Sequence, residues 1–222
     1  MAFFSYEGKV SRIFMKIAWG CYLNLLWAVC SLPIVTIGAS TTALYSVALK
    51  IAEDREGALG QQFFRAFKEN FRQATVIWLI LLGVGIFLGT DIYVLFHLRN
   101  TANIAMATFW TIILAIVFAA CVAYTIELIF VFPLVASVVN TTKNMMINAL
   151  LIGTHYLNCT IVVFAIHFAM AVFAIRFFTP ILLLGEGMCA ILSSYLLSPV
   201  IRACSIDPSR NQAAGVDGGD LS

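Results

Sequence analysis

The sequence predicts an all-α polytopic membrane bundle of about six transmembrane helices, and three observations carry that prediction. The first is composition: 62% of the 222 residues are hydrophobic and only 11% are charged, whereas about a quarter of a soluble domain is charged. The second is the recurrence of six apolar stretches with the length or packing character of membrane helices, the hydrocarbon layer being about 30 Å thick. The third is the placement of the cations. When the stretches are paired as successive crossings from an inside amino terminus, Lys9, Arg12, Lys16, Lys50, Arg55, Arg65, Lys68, Arg72, Lys143, Arg202 and Arg210 share one side, leaving only Arg99 and Arg176 on the other. Cytoplasmic flanks retain Lys and Arg. The expectation is a multi-pass protein of the plasma membrane with both termini cytoplasmic, a single helical domain over residues 1–206 and a disordered tail over 207–222, rich in Pro, Gly, Ser and Asp.

The first span, residues 13–32, carries Trp19, Tyr22, Trp27 and one amide, Asn24, and stops at Pro33, whose ring interrupts the hydrogen-bond ladder. At about 20 residues, with no small-x-small site at its end, it reads as a crossing and not as a cleaved signal. Residues 34–51 follow as a short helix in which Thr36, Gly38, Ser40, Thr42, Ala43 and Ser46 leave little bulk. Small residues let backbones approach closely in lipid, so this helix belongs inside the bundle.

Residues 53–73 form the one sizeable loop, and its second half is amphipathic. Phe63, Phe64, Phe67 and Phe71 cover one face, and Arg65, Lys68, Glu69 and Arg72 the other. This is the pattern of an interfacial helix with phenylalanines at the acyl boundary of the bilayer and cations among its headgroups. A docking helix for a cytoplasmic partner has the same pattern.

The third span, residues 74–96, contains Gly85 and Gly89 at the spacing of a close helix crossing. The apolar run at 105–139 is too long for one straight crossing, and Pro133 is expected to mark a kink or an exit. Spans over 146–175 and 181–203 complete the six.

Ionisable residues inside a membrane are costly and are functional candidates by default. Asp91, Glu127 and Glu186 qualify by position, and His167, Arg176, Arg99 and His97 share the outer half with Asp91 and Glu186. This outer cluster has two readings: a vestibule for a polar ligand, or charge neutralisation, for instance of Glu186 or Asp91 by Arg176. On the fifth span Asn144, Asn148, His155 and Asn158 recur at helical intervals as a polar stripe, suited to interhelical hydrogen bonding or to a solute path.

Other chemistry finds no motif. The net charge of +2 is no nucleic-acid footprint. The six cysteines lie in or at the ends of apolar stretches, as helix-interface fillers do. No ligand spacing, nucleophile elbow or phosphate loop is present, so the expectation is a protein without cofactor, metal or enzymatic activity.

Five blocks carry a family resemblance: Asn24-Leu-Leu-Trp27; Leu32-Pro-Ile-Val-Thr-Ile-Gly38 with Ala43-Leu-Tyr45; Phe64-Arg-Ala-Phe67-Lys-Glu-Asn70-Phe71-Arg-Gln73; Phe132-Pro-Leu134; and Asn148-Ala149. Over residues 5–205 the chain resembles the YesL family of small bacterial membrane proteins. The resemblance implies a multi-helix protein of unassigned biochemical activity, mostly from Gram-positive bacteria, associated with loci for ATP-driven carbohydrate uptake. The expected function is therefore a non-enzymatic accessory or regulatory subunit of a carbohydrate ABC transporter, with the lipid bilayer and the permease subunits, or further copies of itself, as partners. The alternatives are an independent small-solute carrier or channel, using the intramembrane acids and the polar stripe, and a membrane sensor signalling through the 53–73 loop.

Overall fold

A computed structural model describes residues 9–55, 57–101, 104–177 and 180–206. These form seven α-helices: α1 (Lys9–Cys30), α2 (Ile37–Ala52), α3 (Leu59–Thr101), α4 (Ile104–Ser137), α5 (Thr142–His155), α6 (Leu157–Phe177) and α7 (Pro180–Ile206). The tail expected to be disordered, with Arg210, lies outside the described residues.

Pro33 ends α1 as its chemistry requires. The chain reverses through a 3₁₀ turn at Ile34–Thr36, and the Thr36 hydroxyl donates to the Cys30 carbonyl at 2.6 Å, meeting an acceptor at the end of α1. The short α2 is buried along nearly its whole length, from Gly38 to Ile51. Its small residues bring backbones together: a Cβ on Gly38 would sit 2.5 Å from both the Ala74 carbonyl oxygen and Trp78 Cβ of α3. Ser31 with Ser40, and Trp27 Nε1 donating to Thr41 at 3.1 Å, fasten α2 to α1.

The largest departure from expectation is α3. The amphipathic segment and the third span are one continuous 43-residue helix, about 64 Å long. No Pro or Gly lies between Phe63 and Gly83 to stop it. The four phenylalanines also divide. Phe63 is completely buried, Phe67 is half-buried and stacks on it, while Phe64 and Phe71 stay exposed. The exposed face of α3 changes from Arg65, Lys68 and Arg72 to Val76, Leu79, Ile80 and Val84. At that change Gln73 Nε2 donates to the Asn140 carbonyl at 2.8 Å, tying α3 to the α4–α5 turn.

Beyond that point α3 and α4 form a long hairpin. The Tyr124 hydroxyl fills the space over Gly85 and donates to the Leu81 carbonyl at 3.1 Å. Pro133, expected to mark a kink or an exit, falls within the last turns of α4, which continues to Ser137. The expected fifth span is broken: α5 and α6 meet at Tyr156 with a bend of 99°. The Thr160 hydroxyl donates to Gly153 O at 2.8 Å, replacing the helical donor which the bend withdraws.

Three stretches, Ile34–Ala52, Leu59–Asn100 and Met106–Ser137, are long and apolar enough to cross a membrane, and the bent α5–α6 pair makes a fourth if it counts as one span. The shorter apolar part of α1, Phe14–Cys30, does not reach the same length. Among the described residues, three to four helical stretches thus have the length and apolar composition of membrane crossings, as a multi-pass membrane protein requires.

A candidate polar site inside the helix bundle

The helices α1, α2, α6 and α7 bring polar side chains together in an otherwise apolar interior. On α1, Asn24 is completely buried, and its Oδ1 accepts a hydrogen bond from the Gly187 backbone N–H of α7 at 2.8 Å. The two helices touch closely enough that a Cβ on Gly187 would lie 2.3 Å from the Gly20 carbonyl oxygen. Asn24 Nδ2 has no hydrogen-bond partner, and neither have the hydroxyls of Thr42, Ser193 and Ser194, all completely buried.

Next to Gly187 stands Glu186. Its Oε1 lies 3.9 Å from His167 Nε2 of α6, and that nitrogen lies 3.5 Å from the hydroxyl of Tyr45, a buried residue of α2. His167 and Glu186, which the sequence reading placed at one level, thus meet each other, whereas Arg176, a candidate partner for Glu186, is exposed to the surroundings.

The remaining sequence candidates lie on α3, α4, α5 and the start of α6. Glu127 is buried on α4, with Oε1 unpartnered. Asp91 is half-buried in the C-terminal part of α3. Asn148 is half-buried on α5, and His155 is exposed at the end of that helix. Asn158, expected on the same stripe, falls beyond the break on α6, so the stripe is interrupted. Among the described residues no group of three His, Cys, Asp or Glu side chains is placed to hold a metal ion.

Sequence reasoning missed Tyr45, Gly187 and the Ser193–Ser194 pair. The available signals were two adjacent serines in an apolar helix and an acid flanked by Gly185 and Gly187. It also missed a second cluster at the opposite end of α2. There Glu53 accepts from Ser198 and Arg202 of α7 at 2.9 Å each and pairs with Arg55, while Lys16 of α1 pairs with Asp54 at 2.9 Å and with the Tyr195 hydroxyl. The α2–α3 turn is therefore clasped to the start of α1 and the end of α7.

The stretch running from Cys21 of α1 through α2 and along α3 holds Asn24, the Gly38 crossing, Tyr45 and the clasp acids. Residues 21–92 match the model of a family described as DUF624, protein of unknown function. The DUF624 match ends at Ile92 in the C-terminal part of α3, so α4 to α7, including His167 and Glu186, lie outside it. No curated protein and no solved structure gives a significant match.

Proposed function

We propose that the protein is a non-enzymatic accessory subunit of a carbohydrate ABC transporter, packing on the permease through the free face of the α3–α4 hairpin. The observation that carries this reading is the hairpin itself. Ile86, Phe87, Phe109, Ile112, Ile116 and Phe118 project from it away from the rest of the fold. Beside them Gly83 and Gly89 leave open space, since a Cβ at either would meet nothing within 4 Å. Helices associate in lipid by close packing at such small residues. The transporter class rests on the resemblance of the Asn24–Trp27, Leu32–Gly38 and Phe64–Gln73 blocks to YesL-like proteins; the DUF624 description names no activity.

In this reading the chain crosses the plasma membrane six times with both termini inside. The one-sided distribution of Lys and Arg supports that orientation, as does the clasp, which gathers Lys16, Arg55 and Arg202 at one end of α1, α2 and α7. Phe64 and Phe71, exposed among Arg65, Lys68 and Arg72, are then the residues that meet the cytoplasmic leaflet.

Co-purification from native membranes in mild detergent tests the proposal. The protein is expected to bring down permease subunits, and Gly83→Phe with Gly89→Phe to lose them while keeping the thermal stability of the parent. Absence of permease and ATPase subunits, under conditions that keep a known transporter intact, would sink it. A second reading, an independent small-solute carrier, is favoured by the unpartnered polar atoms around Asn24 and Glu186. It requires that Glu186→Gln abolish uptake by reconstituted protein.

A further inference from the structure

The group formed by Tyr45, His167 and Glu186 has a property that its charges alone define. His167 Nδ1 lies 2.9 Å from the Val163 carbonyl oxygen, which only accepts, so Nδ1 carries a hydrogen and Nε2 is the atom that faces the neighbours. Nε2 has two of them, the Tyr45 hydroxyl at 3.5 Å and Glu186 Oε1 at 3.9 Å. A neutral imidazole accepts from the tyrosine O–H; an imidazolium donates toward the carboxylate.

Only one proton count leaves the pair electrically neutral. A protonated carboxyl beside a neutral imidazole is neutral, and so is a carboxylate beside an imidazolium. A second proton, or loss of the first, leaves a net charge in an apolar bundle, which is costly. The side chains of His167 and Glu186 are 27% and 29% exposed, so the pair is not sealed within the helices. One residue along from Glu186, the Gly187 N–H donates to the completely buried Asn24, whose Nδ2 keeps no partner.

We propose that Tyr45, His167 and Glu186 form an intramembrane proton-binding site, in which one proton is shared between the imidazole and the carboxylate. With the proton on the imidazole, Nε2–H faces the carboxylate of α7; with the proton on the carboxyl, Nε2 accepts from the Tyr45 hydroxyl of α2. Among the described residues, Cys189 of α7 is a further titratable group facing the pair, while α1 contributes the uncharged Asn24. The further helices packed on α6 are α4, which carries the buried Glu127, and α5, which carries the exposed His155. The site is independent of the accessory reading, since a chain that binds no permease binds the proton equally.

Histidine ¹⁵N NMR of the full chain in lipid nanodiscs, titrated across the pH range in which it stays folded, reads this site directly. His167→Gln assigns the resonance among the three histidines of the chain. Glu186→Gln is expected to change the proton affinity of His167 at least about tenfold, as two strongly interacting sites require, and Tyr45→Phe is expected to alter the neutral form without removing that coupling. Should Glu186→Gln misfold, Glu186→Asp keeps the charge at a greater distance and is expected to shift the affinity in the same sense by less. A His167 affinity the same in parent and Glu186 variants overturns the proposal, as does a His167 that never changes protonation.

Discussion

Replacing Gly187 by alanine puts the close α1–α7 crossing to a quantitative test. The added Cβ would sit 2.3 Å from the Gly20 carbonyl oxygen and 2.9 Å from Asn24 Cβ, against an ordinary contact of 3.4 Å or more. The helices α1 and α7 must therefore separate locally by about 1 Å. The same displacement stretches the Asn24 Oδ1 to Gly187 N–H bond, now 2.8 Å, past hydrogen-bonding range and strands a second atom of a completely buried amide. Overpacking costs about 1–3 kcal/mol, and a lost buried hydrogen bond about 1 kcal/mol more. At about 2–4 °C per kcal/mol for a chain of this size, the apparent Tm in detergent should fall by about 5–15 °C. Gly83→Ala is the control, because its Cβ enters open space and alanine favours the helix by about 0.5–1 kcal/mol. Equal melting temperatures for the two variants would refute the α1–α7 geometry.

Thr160→Val should destabilise by about 1–2 kcal/mol, because Gly153 O at the α5–α6 bend loses its hydroxyl donor; thermal melts of the purified variant check this. Glu53→Ala should cost only about 1 kcal/mol, since Arg202 and Arg55 are largely exposed partners, and limited proteolysis should show faster cleavage of the α2–α3 turn. Asn24→Leu should be tolerated better than Asn24→Asp in melting experiments, because it removes the unpartnered Nδ2 instead of placing a charge in the bundle.

The features legible in the sequence were those fixed by local chemistry. Apolar length located most helices, Pro33 located the end of α1, and the small residues from Gly38 to Ser46 foretold a buried α2. The amphipathic segment misled because its charges at 65–72 looked like a boundary, whereas helix continuity depends on the absence of breakers. The division of Phe63 and Phe67 from Phe64 and Phe71 depends on where α2 packs, which the helical period alone does not specify. Tyr156 sits at a bend without Pro or Gly beside it; the bend is sustained by Thr160 and by the close fit of Gly153 against Ile126 and Phe130 of α4. The candidate site was half legible. His167 and Glu186 shared a level on the expected topology, yet their meeting follows from the antiparallel packing of α6 on α7. The bond between Asn24 and Gly187 joins residues 163 positions apart, a distance no periodicity bridges.

Photo-crosslinking from the outer face of the hairpin in native membranes tests the central claim most directly. A photoreactive residue at Phe87, Ile116 or Phe118, each projecting freely, should form a protein adduct whose mass spectrum identifies a sugar-transporter permease, while the same residue at the completely buried Phe130 should not. Adducts with lipid alone from all three outer positions would contradict the account.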